Sequence, residues 1–281
     1  MFAAMNSSEN KLVRIAILDL YEGVANEGMR CIREIIQLWS TTNNITVFVE
    51  EFEVRIEKRI PDTSFDLYIS SGGPGSPLES KDSEWENLFF KWIQSIENYN
   101  KQHKPEYQKQ IFFICHSFQL ACRYFNIGNI CKRKSTAFGV FPIHMLAQAN
   151  DEVIFEGLKD PFYAVDSRDY QVIEPNHEHI RNIGAKILAI EKNRPHVPFE
   201  RAIMAIRFNN HFVGTQIHPE ADVLGMSMYL QRPDKKESII ENHGFEKWES
   251  MVEQINNPNK IALTNSTILP NFLTQKILCL T

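Results

Sequence analysis

Three residues of this 281-residue chain stand in settings that suit chemistry: a cysteine, a histidine and a glutamate. Cys115 closes the run Ile111-Phe112-Phe113-Ile114 and is followed by Phe118, Ala121, Cys122 and Phe125. Four apolar residues in a row read as a buried strand, and the later spacing is helical. The cysteine therefore falls on a strand-to-helix turn. Such a turn lifts the sulfur out of the sheet and aims the following backbone N–H groups at the space beside it, which places an oxyanion site next to a nucleophile. A thiol also needs a base near neutral pH. The strand-like run 212–217 ends in His218-Pro219-Glu220. Residues two apart in extended chain face the same way, so the carboxylate can fix the imidazole tautomer. Cys115, His218 and Glu220 form a candidate triad. His116 adjoins the nucleophile, but adjacent residues diverge, and a positioning role suits it better than that of base.

Hydrophobic periodicity supplies the elements that must position these groups. Residues 13–20, 45–52 and 65–70 read as strands, while 27–39 and 85–99 have helical spacing. The order strand, helix, strand, strand, Gly-rich loop, helix, strand, cysteine, helix predicts an α/β fold. It is a flavodoxin-like, mostly parallel sheet with helices on both faces and the reactive residues at strand C-terminal ends. Short β-like pieces follow at 136–141, 162–165, 171–173, 185–190 and 202–208. The loop Ser71-Gly72-Gly73-Pro74-Gly75-Ser76-Pro77 has two readings, an oxyanion-binding nest or a plain Gly/Pro turn. With the other two motifs beside it, the oxyanion reading is preferred, with Gly73 and His116 as the N–H donors.

The run Gly214-Thr215-Gln216-Ile217-His218-Pro219-Glu220 resembles the histidine motif of the class I (triad) glutamine amidotransferases. The Gly-Gly-Pro-Gly loop resembles their oxyanion strand loop, and Gln119, four residues after the cysteine, matches a residue that helps hold substrate there. Phe113 and Ser117 replace the two glycines of the usual elbow, and the bulk of Phe113 implies a rearranged turn. Ser167 and Val172 match a segment that those enzymes carry before the histidine motif, with Arg168 and Tyr170 at its other two places. Arg168 either clamps a substrate carboxylate or pairs with Asp166 or Asp169. The elements Phe113-Ile114-Cys115, Phe138-Gly139-Val140-Phe141, Ser167-Arg168 and His218-Pro219-Glu220 are also similar to the homoserine O-acyltransferases. The resemblance implies a cofactor-free enzyme that hydrolyses the glutamine amide through a thioester. Ser167, Arg168 and Gln119 then bind substrate, and water or an ammonia-accepting partner protein completes the reaction. Acyl-CoA-dependent acyl transfer to homoserine and an inactive binding or regulatory module are the alternatives.

Composition narrows the class further. With 43% hydrophobic and 23% charged residues the chain supports a full core, and a net charge of −5 argues against nucleic-acid or membrane-surface partners. Five cysteines lack a Cys-x-x-Cys pair, so neither a disulfide framework nor a zinc knuckle is indicated. His177-Glu178-His179 reads as a solvated loop rather than a metal site. Lys132-Arg133-Lys134 reads as an exposed basic turn, with an anionic partner as the alternative. Residues 1–8 lack the pattern of a secretion signal, and a cytoplasmic location is expected. Residues 11–230 are read as one amidotransferase-like domain, and 231–281 as a helical or irregular extension that covers the site, packs on the sheet or makes a dimer contact.

Overall fold

A computed structural model describes residues 12–278, so the expectation for the first eight residues and the cysteine at 279 lie outside the described residues. The core is one nine-stranded sheet in the order β2-β1-β3-β4-β9-β8-β7-β5-β6. Its first half joins β2 (Thr46–Glu53), β1 (Leu12–Asp19), β3 (Leu67–Ser70), β4 (Gln110–Ile114) and β9 (Phe212–Thr215), all parallel. The second half adds β8 (Ile203–Arg207), β7 (Lys186–Glu191), β5 (Asn129–Met145) and β6 (Phe162–Ile173) through antiparallel pairings. Only β8 and β5 run against the common direction.

Alternation along the strands sorts the core into two faces. Ile15, Ile17, Ile69, Phe112 and Ile114 pack with Met29, Ile32, Ile36 and Trp39 of α1 (Gly28–Asn43). Ala16, Leu18, Tyr68, Ile111 and Phe113 pack on the opposite side with α2 (Glu84–Gln102) and α3 (His116–Tyr124). Ser83 caps α2 by accepting the Glu86 N–H, and Glu86 stands at the third helical position, a polar start to an apolar-periodic run.

Two expectations change. The pieces 136–141, 162–165 and 171–173 are parts of two long strands, β5 and β6, because their polar positions are paired by the neighbouring strand rather than solvated in loops. Residues 177–179 open a short helix, α4 (His177–Asn182), where His179 Nε2 lies 3.0 Å from the Phe125 carbonyl.

The chain past β9 forms α5 (Val223–Gln231), α6 (Pro233–His243), α7 (Phe245–Asn256), α8 (Leu263–Asn265) and α9 (Ile268–Leu278). The extension packs on the sheet. Phe272 of α9 meets Phe112 of β4 edge-on at 5.2 Å, and Ile268, Leu269 and Leu273 join the α1-side core. Among the described residues no helix is long and apolar enough to cross a membrane.

Candidate active site

β4 runs straight into Cys115, whose φ of 49° and ψ of −98° put a non-glycine residue in the left-handed half of the map. Such backbone costs on the order of 1–3 kcal/mol and persists only where the surroundings impose it. Here the Cys115 N–H is held by the Thr215 carbonyl at 2.8 Å and the Cys115 carbonyl by the Gln119 N–H at 3.1 Å. Ser117 completes the turn: its Oγ accepts the Ile114 N–H at 2.9 Å and donates to the Ser70 carbonyl at 2.8 Å. Ser117 thus does with a hydroxyl what a glycine would do by absence.

Phe113 does not force the turn open. It pairs in register with Gly214 of β9, and a Cβ at Gly214 would stand 2.9 Å from the Phe113 carbonyl and 3.0 Å from the Phe113 Cβ. The small residue sits on the neighbouring strand. The phenylalanine ring fills a pocket among Phe89, Trp92, Phe208 and Phe212. The rearranged turn expected from Phe113 is therefore absent.

β9 leads to His218, whose N–H is bound by the Val165 carbonyl of β6 at 2.9 Å. Its Nδ1 lies 2.8 Å from Glu220 Oε1, and Glu220 is 1% exposed. Gly72 shows where the groups converge. A Cβ there would lie 2.9 Å from His218 Cε1, 3.2 Å from the Tyr21 hydroxyl and 3.6 Å from Cys115 Cβ. Imidazole, phenol and thiol arm surround one bare Cα. Gly73 instead packs just past the end of β1, where a Cβ would overlap the Leu20 carbonyl.

Charge in this cluster favours an imidazolium. Burial opposes an imidazolium at His218, but the Cys115 sulfur and the Glu220 carboxylate outweigh it and hold the imidazole pKa well above its ordinary value. Burial also pushes Tyr21 well above the usual phenol range, with the charges of Glu220 and Cys115 adding to it, so Tyr21 keeps its proton as a donor. A second thiol on the cleft wall, Cys31, is pushed up to about 12 by burial and then by Asp222, which keeps it a protonated bystander. His116 is buried, and its ring is pushed down to about 3 by burial and by the Arg55 and Arg123 charges. A neutral ring facing away from solvent leaves only its backbone for the site.

The remaining expected residues divide. Ser167 is on the spot, its carbonyl 3.6 Å from Cys115 Sγ. Gln119 faces inward: its Nε2 donates to Gln216 Oε1 at 2.9 Å and to the Tyr170 carbonyl at 3.2 Å. Gln216 in turn directs its Nε2 at Cys115 Sγ from 3.6 Å. Arg168 is not a clamp in the cleft. Its side chain is 1% exposed and pairs with Asp166 at 2.9 Å and Glu191 at 3.1 Å, the pairing reading of this residue. Tyr21 and Gln216 were not singled out from the sequence. The signal for Tyr21 was its place just past the C-terminal end of the first strand, where sites in such sheets gather.

A cleft of about 560 Å³ is lined by Tyr21, Ser167, His218 and Glu220 together with the apolar Phe138, Met226 and Tyr229. Cys115, 5% exposed, lies just behind Ser167 and His218.

Residues 17–229 match the family model described as glutamine amidotransferase class-I. The chain belongs to this family. A glutamine amidotransferase from Thermotoga maritima aligns at TM-score 0.63 and 14% identity, over 94% of this chain and 98% of its own. One from Methylobacillus flagellatus aligns at TM-score 0.62 and 14% identity, over 96% of each chain. The glutaminase domain of Trypanosoma brucei CTPS with bound acivicin aligns at TM-score 0.54 and 14% identity, over 74% of this chain and 86% of its own. The first two alignments, at 94% and 96% of this amidotransferase-family chain, extend the shared fold into its α6–α9 extension. No curated protein sequence matches it.

Proposed function

We propose that the protein is a glutamine-hydrolysing amidotransferase in which Cys115 is the nucleophile, His218 the general base and acid, and Glu220 the group that orients His218. The observation that carries this reading is the convergence of Cys115 Cβ and His218 Cε1 on Gly72, with Glu220 2.8 Å behind the imidazole. The thiolate attacks the side-chain amide carbon, and the oxyanion is received by the N–H groups of Gly73 and His116 at the loop and at the start of α3. His218 gives its proton to the leaving nitrogen, ammonia departs, and a γ-glutamyl thioester remains on Cys115. Water, deprotonated by His218, then releases glutamate and restores the thiol. Gln216 and Ser167 hold the sulfur, and Tyr21 offers a neutral donor at the cleft wall. The freed ammonia serves either solvent or a separate acceptor protein. The matching family and the aligned structures named above are amidotransferases, and the reading follows them rather than the acyltransferases.

Incubation with glutamine, following ammonia, tests the proposal. The wild type is expected to release ammonia and Cys115→Ala to release none. Free CoA released from acyl-CoA and homoserine, with no ammonia from glutamine, would replace hydrolysis by acyl transfer. Silence in both assays from folded protein would leave a binding module.

A further inference from the structure

The reaction uses the Ser167 position of β6, while its neighbours Asp166 and Arg168 belong to a charged cluster that the mechanism leaves idle. Glu191 receives three guanidinium groups, from Arg133 at 3.1 Å, from Arg168 at 3.1 Å and from Arg194. Lys192 and Lys247 both stand over the Phe141 ring, with Nζ 4.9 Å and 5.5 Å from its centre. Around Glu191 four cations, Arg133, Arg168, Arg194 and Lys192, stand against two carboxylates, Asp166 and Glu191, while Asp169 accepts the Thr136 hydroxyl. A surplus of positive charge in a chain of net charge −5 is a local feature with a local use. The cluster also strains its own members. Burial, and then the charge of Arg168, lower the pKa of Arg133, as burial and Lys192 lower that of Lys247.

A cavity of about 270 Å³ opens beside these cations, walled by Arg133, Lys192 and Arg194, by Ser135 and Thr136, and by the paired carboxylates Asp166 and Glu191. It lies at the irregularity between Lys132 and Ala137, where β5 bulges away from β6. The basic run 132–134 therefore divides: Arg133 turns in to Glu191, and Lys132 and Lys134 stay exposed.

We propose that this cleft is an anion site that takes a phosphate or pyrophosphate group, free or carried on a larger molecule. Guanidinium forks match phosphate oxygens two at a time, and the hydroxyl of Ser135 adds a donor on the same wall. The surplus of two charges suits a phosphate dianion better than a single carboxylate. The volume lies below the roughly 300 Å³ at which pockets begin to enclose drug-sized ligands, so the cleft holds the charged group and not a whole nucleotide. Lys192, Asn193, Pro195 and His196 are exposed, which leaves the remainder of a larger ligand in solvent.

Isothermal titration of the full chain with inorganic phosphate, pyrophosphate and ATP, at matched ionic strength, tests this. Saturable binding is expected for at least one of the three. Arg133→Gln and Lys192→Glu are each expected to weaken it about tenfold or more, the cost of one charge-assisted contact. Lys192 is exposed, so Lys192→Glu keeps the fold, which its melting temperature verifies. Binding of inorganic phosphate as tight as that of ATP assigns a free ion, and tighter binding of pyrophosphate or ATP with the same variant dependence assigns a carried group. No saturable heat from any of the three, or binding that folded Lys192→Glu leaves unchanged, overturns the site.

Discussion

Glu220 is buried, receives His218 through one oxygen at 2.8 Å and leaves its other oxygen without a hydrogen-bond partner among the described residues. A buried carboxylate so placed does little for stability and much for the imidazole it orients. Glu220→Gln keeps the shape and removes the charge. Its kcat/KM for glutamine hydrolysis is expected to fall by up to about 10⁴-fold with the fold intact, the loss seen when the third member of such a triad is neutralised. An unchanged rate would remove Glu220 from the mechanism. Gly72 makes a sharper spatial claim. Gly72→Ala puts a methyl 2.9 Å from His218 Cε1, so the ring must move by several tenths of an ångström. Since displacements near 1 Å cost about 10²-fold, a loss approaching that size in kcat/KM is expected, with little change in melting temperature.

At the scale of elements, the turn that presents Cys115 depends on a trade between two strands. Phe113 occupies the place of a small residue on β4, and Gly214 on β9 gives the space back. Phe113→Ala removes a fully buried ring held among four aromatic neighbours. It is expected to cost about 3–5 kcal/mol in urea unfolding. A loss under 1 kcal/mol would mean that the site collapses around the gap. The same trade explains what could be read from the chain alone. The strands β1, β3 and β4 are short apolar runs bounded by loops, and these runs, with the His-Pro-Glu motif, made legible the parallel half and the three residues proposed as a triad, which converge beside Gly72. Compensation across strands was not legible, because Phe113 and Gly214 meet only once the sheet order is known. For the same reason Gln216 passed as part of a motif rather than as a group that touches the sulfur. β5 and β6 read as fragments, since Lys132, Arg133, Arg168 and Asp169 look like loop residues until their partners across the pair are seen.

Across the whole molecule, the α6–α9 extension is tied to the site as well as to the core. Asn265 Nδ2 donates to the Glu220 carbonyl at 2.8 Å, and Thr264 Oγ1 donates to the Tyr163 carbonyl of β6 at 2.6 Å. Trp39 of α1 donates to Thr274 of α9 at 3.0 Å. The histidine loop is thus held from behind by the last fifth of the chain. The proposed division into a domain of residues 11–230 and an extension of 231–281 is one of sequence pattern, while packing joins the two.

Stability of the whole should also carry the mark of His116. Its folded pKa of about 3 lies below the ordinary value of about 6.5. Between these two values the unfolded chain binds a proton that the folded chain refuses, so stability rises with pH there and falls on acidification. At about 1.4 kcal/mol per unit, a loss of a few kcal/mol is expected from pH 6.5 toward 3, beyond that of the carboxylates. Urea unfolding of His116→Gln over this range should give a shallower slope than the wild type. Equal slopes would mean that His116 takes its proton in the folded state.

The proposed hydrolysis passes through a thioester at one sulfur, and that species is open to direct detection. Protein turning over glutamine is quenched in acid, digested and weighed peptide by peptide. The expected result is a γ-glutamyl adduct on the peptide that contains Cys115, absent from Cys115→Ala. Ammonia released while Cys115 stays unmodified and dispensable, or an adduct on another residue, would contradict it.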